Sequence, residues 1–173
     1  MDRVRSVAID LMATHGFDAV TVEQIAAQSN VSPSTVYRYF STKEALVLSG
    51  DRTTDLVERL RNDASTRSPS EAFQRAVTKV WGRDETALIE LGLATTNDAL
   101  LHSFERQLLD HRQSVAAAFA ERRGASAPGA RDTARAAASI GILMSTLAAW
   151  HQSGGGKKAL DKALTKAFAV LND

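Results

Sequence analysis

The 173-residue chain contains no cysteine. Disulfides and thiolate chemistry are therefore excluded, and a reducing cytoplasm is the expected compartment. Proline occurs only at Pro33, Pro69 and Pro128, each where a helix start or a loop is expected, and the expected class is all-α. No N-terminal apolar run resembles a signal peptide and none approaches the length of a membrane span, so no membrane partner is expected. There is no excess of one charge either: the formal net charge is +1. Residues 1–48 carry Arg3, Arg5, Arg38 and Lys43 against Asp2, Asp10, Asp18, Glu23 and Glu44, so this segment is not a basic module in bulk. No Ser/His/Asp set, glycine-rich phosphate loop or metal-ligand spacing stands out. Asp98 and His102 stand four residues apart, but no third ligand is evident, and chance explains the pair better than a metal. No catalytic residue, cofactor or metal is expected, and an enzyme reading has little support.

What is present is concentrated in residues 16–48. Thr21 with Gln24 three residues on forms a capping box, followed by Val22, Ile25 and Ala26 at helical spacing. Asn30 stands where this helix should end, and asparagine tolerates the left-handed backbone of a tight turn. Ser32 then caps a second helix, and Pro33 fits its first position, where a missing N–H costs nothing. Val36 and Phe40, four apart, face inward; Ser34, Thr35, Arg38 and Tyr39 project outward, with Tyr37 at the flank. Ser41 with Glu44 reads as another capping box that starts a third helix at once. Two short helices about a tight turn make a helix-turn-helix, whose second helix enters the DNA major groove.

At these residues the chain resembles the TetR family of transcriptional regulators. The matching signature is Gly16-Phe17, Thr21-x-x-x-Ile25-Ala26, Val31-Ser32-x-x-Thr35-x-Tyr37-x-Tyr39-Phe40 and Lys43-Glu44-x-Leu46, within roughly residues 3–48. The turn carries Asn30 where the family usually has glycine. The resemblance implies that Tyr37 and Lys43 contact phosphates, that Ser34 and Arg38 face base edges, and that Thr35 and Tyr39 can do either; Thr21 joins them as a DNA-contact candidate. It also implies a double-stranded operator as partner and a homodimer that reads it with two heads. A C-terminal helical domain over residues 49–173 would then bind a small effector and dimerise, beside a DNA-binding domain over residues 1–48.

The remaining pattern is compatible with that expectation. A first helix over Val4–His15 carries a stripe of Val4, Val7, Ala8, Leu11 and Met12. Further helices are expected over 42–62 with Gly50 inside, from Ser68-Pro69 to Trp81, over 84–93, over 98–123, over 131–152 and over 157–171. A break at Ser153-Gly154-Gly155-Gly156 makes the last two a hairpin. Small side chains at Ala137, Gly141, Ser145 and Ala148 permit close approach of another helix, and Leu160, Leu164 and Phe168 line one face of the last helix. Two such hairpins about a two-fold axis would form a four-helix interface; alternatively, both faces merely close the monomer core.

Phe104, Leu108, His111 and Val115 share a face of the helix expected over 98–123, and the resemblance places Phe73 and Trp81 beside it. A mostly apolar cavity with His111 as its polar contact, taking an apolar or aromatic effector, is the expected effector site. The bland alternative is that these side chains fill the space and His111 bonds a neighbouring side chain. The leading expectation is a homodimeric, ligand-responsive repressor. Its rivals are a helical small-molecule binding module whose DNA reading has decayed, and a helical enzyme with a catalytic cluster not visible here.

Overall fold

The structure, a computed structural model, describes residues 1–48, 52–64, 68–82, 85–153 and 156–171. Among the described residues it holds α1 (Asp2–His15), α2 (Val22–Ser29), α3 (Pro33–Tyr39), α4 (Lys43–Leu48), α5 (Arg52–Arg61), α6 (Pro69–Trp81), α7 (Glu85–Thr96), α8 (Asp98–Asp110), α9 (Arg112–Arg122), α10 (Ala130–Gln152) and α11 (Lys157–Phe168), with a 3-10 turn over Ala169–Leu171. Strands are absent among those residues, and the fold is all-α as expected. The chain divides into two compact units: Met1–Gly50 with Ile89–Phe104, and Asp51–Leu88 with Glu105–Asp173.

In the first unit α1 packs on α2 and α4, and α2 on α3. Val4, Ala8, Ile9 and Met12 of α1 are buried, whereas Val7 and Leu11 remain half-exposed. The inward arc of α1 is thus rotated toward Ile9, which the sequence stripe omitted, because helices pack on that side. Gly16 ends α1 at φ 87°, a left-handed conformation that favours glycine, with its N–H donating to the Met12 carbonyl. Phe17, Val20, Ile25, Ala26, Val36, Phe40, Leu46 and Val47 complete this core.

In the second unit α5 packs on α6 and α9, α10 on α9 and α11, and α11 on α6. Phe73 stands at its centre, with ring centroids 6.4 Å from Phe119 and 5.7 Å from Phe168. Trp81 and Trp150 are both buried, and the Trp150 indole N–H donates to the Gly156 carbonyl at 2.9 Å, which closes the α10–α11 corner. Asp132 organises the entry to α10: it accepts from the Gly129 N–H and from both Arg123 Nε and Nη2. Those hydrogen bonds, the Arg123 one foremost, hold its carboxyl down to about 2.

Two boundaries differ from the sequence pattern. Of the helix expected over 42–62, α4 and α5 fall among the described residues; residues 49–51, with Gly50, lie outside them, as do Asp84 and the Gly154-Gly155 pair. The helix expected over 98–123 is two, α8 and α9, with His111 between them. The Gln107 carbonyl accepts from both the His111 backbone N–H (3.2 Å) and the ring Nδ1 (2.9 Å). A side chain bonded into the helical ladder is a recognised cause of a break. The last expected helix tightens to a 3-10 turn after Phe168.

Candidate nucleic-acid interface

The helix-turn-helix is punctuated by side-chain chemistry at almost every boundary. Thr21 N–H donates to Gln24 Oε1 at 2.8 Å and Gln24 N–H to Thr21 Oγ1 at 3.2 Å, a complete capping box. Asn30 adopts φ 58°, ψ 46°, and the N–H groups of Asn30 and Val31 return to the Ala27 and Ala26 carbonyls. Ser32 Oγ accepts from Thr35 N–H at 3.1 Å with Pro33 in the first turn of α3. At the start of α4 the capping hydroxyl is Thr42, not Ser41: its Oγ1 accepts from Ala45 N–H at 3.3 Å. A cap must bond the amide three residues on, and since α4 starts at Lys43 that register belongs to Thr42.

This punctuation fixes which side of α3 faces outward. Val36 and Phe40 are buried, whereas Ser34, Tyr37, Arg38 and Tyr39 are exposed, the two tyrosines to 51% and 57%. Each tyrosine offers an aromatic face together with a hydroxyl that can donate or accept. Thr35 is half-buried, and its hydroxyl pairs with Ser32 Oγ at 2.9 Å. The Arg38 guanidinium lies 5.1 Å from the Tyr39 ring centroid, and Lys43 Nζ sits 4.4 Å over the ring of Phe17. Cation–π contacts of this kind restrict long side chains without consuming their hydrogen-bond donors. The structure thus brings Ser34, Tyr37, Arg38 and Tyr39 onto one exposed helix, with Lys43 at the first position of the next and Thr21 exposed at the start of α2. Phe17 is the residue whose part sequence reasoning missed. Its only signal was the Gly16-Phe17 pair, which says nothing of the lysine above it.

The candidate residues of the C-terminal helices are less unified. Phe73, Trp81, Phe104, Leu108 and Val115 are all buried, but Phe104 belongs to the first unit and the others to the second. Phe73 is engaged with Phe119 and Phe168. A carbonyl can only accept, so His111 Nδ1 carries the hydrogen it donates to Gln107, which leaves Nε2 as the ring's other polar atom.

Ala137, Gly141, Ser145 and Ala148 do share an exposed face of α10. Leu160, Leu164 and Phe168 do not join them. All three are fully buried within their own chain, and Phe168 packs on Phe73. They form the inward seam of α11, so as dimer-contact candidates they are corrected to core. What lies beside the α10 face is Ala163, Lys166 and Ala167 of α11 and Val170 of the 3-10 turn that follows it. With Gly141, Ser145 and their neighbours these line an open groove of about 710 Å³ in which Val170 is 70% exposed.

An all-helical chain whose N-terminal unit presents a capped helix-turn-helix, with an exposed polar and aromatic recognition helix, has the architecture of a helix-turn-helix regulator. The comparisons specify the family. Residues 4–49 match the model of bacterial regulatory proteins of the tetR family, and residues 68–173 match that of the MftR C-terminal domain. The chain belongs to the TetR family of transcriptional regulators, whose members are not enzymes. It is 44% identical over 45 residues to the HTH-type transcriptional regulator YdeS of Bacillus subtilis, a stretch that is 26% of this chain and 23% of YdeS. Relatives matched over more of the chain include TcmR of Streptomyces glaucescens, 28% identical over 123 residues, 70% of this chain and 52% of TcmR. The chain thus spans about half the length, or less, of the curated relatives it matches. Among solved structures, NalD of Pseudomonas aeruginosa, the secondary repressor of the MexAB-OprM multidrug efflux pump, superposes with a TM-score of 0.63 at 18% identity, covering 97% of this chain and 96% of NalD. At that identity the likeness establishes the fold.

Proposed function

We propose that this chain is a homodimeric, ligand-responsive repressor that reads double-stranded operator DNA through α3 and is released by a small apolar or aromatic effector. Residues 1–48 serve as the reading head and residues 49–173 as the regulatory part. The observation that carries the reading is the outward face of α3, with Tyr37, Arg38 and Tyr39 exposed on a helix whose ends are fixed by Ser32 and Phe40. Arg38 is placed to bond bidentately to guanine, Ser34 faces base edges, Tyr37 and Lys43 take phosphates, and Thr35 and Tyr39 support either contact. The formal net charge of +1 adds little non-specific attraction, so affinity is modest away from the operator and falls with salt.

The second copy covers the groove of α10 and α11. Its small side chains allow backbones to approach, and Gly141 is open to solvent, with nothing within 4 Å of where a Cβ would sit. A dimer built there sets the two recognition helices about 34–36 Å apart, one turn of DNA. The effector binds among the C-terminal helices with His111 Nε2 as its polar contact, and shifts the equilibrium only by as much as it prefers the released state. His111→Leu then blunts the thermal shift caused by apolar and aromatic compounds while operator affinity holds.

Gly141→Arg tests the dimer without disturbing the monomer, because the added side chain meets open space. Sedimentation should show monomers, and binding to a duplex enriched by the wild-type protein from a random library should be lost. A variant that remains a tight dimer would place the interface elsewhere. Failure of the wild-type protein to enrich any duplex would favour the binding module with decayed DNA reading.

A further inference from the structure

One charge pair in the first unit, away from the DNA-facing residues, sets a half-buried arginine against a buried glutamate. Arg5 on α1 and Glu90 on α7, 85 residues apart in sequence, approach to 2.5 Å between Nη2 and Oε1. The Glu90 side chain is only 4% exposed. The same Arg5 nitrogen also donates to the Val47 carbonyl of α4 at 3.2 Å. One guanidinium therefore ties three helices together: α1, the helix α4 that bears Lys43 directly after the recognition helix, and α7. Seven residues further on a second tether occurs. Asn97 Nδ2 donates to Asp18 Oδ2 at 3.0 Å in the turn between α1 and α2, while its Oδ1 accepts from Leu100 N–H and caps α8.

A buried ion pair is a poor way to add stability, because desolvating both charges offsets most of their attraction, and apolar residues of similar size often hold as well. What such a pair supplies instead is register. Packed apolar faces tolerate small slides; a guanidinium shared between one carboxylate and one carbonyl does not. Here the register is that of residues 89–104, which join the first unit although α7 begins at Glu85 and α8 ends at Asp110, both outside it.

We propose that Arg5 and Glu90 are positioning residues for DNA reading: they lock α7 against α1 and α4 in one register, with Asn97–Asp18 as a second anchor, and so hold the recognition helix in the one presentation that operator binding requires. Neither residue touches DNA. Sequence-specific contacts depend on that presentation, whereas phosphate attraction to any duplex does not. The inference rests on the DNA-reading function proposed above.

The test uses the full chain and two duplexes, one enriched by the wild-type protein from a random library and one scrambled at the same length and composition. The double variant Arg5→Met/Glu90→Leu replaces the pair by apolar side chains of similar length. It is expected to melt within a few degrees of wild type and to bind the scrambled duplex unchanged, yet to bind the enriched duplex at least tenfold more weakly. Glu90→Gln, which keeps shape and hydrogen bonding but removes the charge, is expected to lower the same ratio about threefold. It also carries the test if the double variant does not fold. Wild-type affinity for the enriched duplex in a folded double variant would reduce the pair to a stabilising contact. An equal loss on both duplexes would place the damage in the phosphate-contacting surface; either result overturns the positioning role. A wild-type protein that enriches nothing overturns the DNA-reading function along with it, which separates the two failures.

Discussion

The short helices α2 and α3 and the long helices α10 and α11 are stabilised in different ways. α2 and α3, of eight and seven residues, are too short to persist on propensity alone, and their ends are fixed by Thr21, Gln24, Asn30 and Ser32. α10, with 23 residues, and α11 show no side-chain capping by a Ser, Thr, Asp or Asn at their N-cap positions, which are Gly129 and Gly156. Apart from Asp132 closing the first turn of α10 on the Gly129 N–H, they are held by what they bury: Ile140, Leu143, Leu147 and Trp150 on one, Leu160, Leu164 and Phe168 on the other. Capping fixes direction as well as existence, so the outward face of α3 follows almost automatically. Burial fixes only that some face turns inward. The helix-turn-helix is thus defined by local chemistry, and the pair α10 and α11 by packing.

That contrast predicts where substitutions act. The largest effect is expected in the packed region. Phe73→Ala removes the ring that meets Phe119 and Phe168 and should lower the unfolding free energy by about 3–5 kcal/mol in urea denaturation. A loss below about 1 kcal/mol would mean that the second unit is not centred on Phe73.

On the reading helix the effect moves from stability to recognition. Arg38→Ala should cost about 1–3 kcal/mol at one base position and relax preference there. Lys43→Ala should weaken all sequences alike and reduce the salt slope by about one. Binding titrations across operator variants and salt decide, and a reversal of the two patterns would exchange the roles of Arg38 and Lys43.

Smaller again are the caps. Thr21→Ala and Ser32→Ala should each destabilise by about 1 kcal/mol, with glycine at the same positions costing only a few tenths. Equal losses for alanine and glycine would show that the hydroxyl bonds seen at Gln24 and Thr35 are not what fixes these helices.

The smallest effect expected is at Asp132. Its carboxyl lies near 2 when folded, against an ordinary 3.8, because Arg123 and the Gly129 N–H bond its charged form. A depressed carboxylate contributes stability above its unfolded value and loses it as pH falls through the folded one. The melting temperature should therefore decline between about pH 3.8 and 2 by more in wild type than in Asp132→Asn. Parallel curves would show that the Arg123 bond contributes nothing in solution.

Much of the reading head was legible before any coordinates. The capping box at Thr21, the left-handed Asn30, the Ser32-Pro33 start and the inward pair Val36 and Phe40 each depend on residues within four positions, and each is found. The shift of the α4 cap from Ser41 to Thr42 is a one-residue matter of register. Phe17 beneath Lys43 was out of reach, since nothing local states which ring a lysine crosses. The break at His111 was equally hidden: neither proline nor glycine marks it, and the apolar spacing from Phe104 through Leu108, Val115 and Phe119 runs on through it.

The sequence by itself determined the helical class, the ends of α2 and α3, and the side of α3 left to solvent, because hydrogen bonds between near neighbours decide those. Only the tertiary structure decided that Ile9 joins the core of α1, that Arg5 meets Glu90 across 85 residues, and that Leu160, Leu164 and Phe168 turn into the chain while Ala163, Ala167 and Val170 line the open groove. α11 has an apolar stripe on each of two sides. Which one faces inward depends on the competing surfaces that α6 and α10 offer, and periodicity along one helix carries no record of its neighbours.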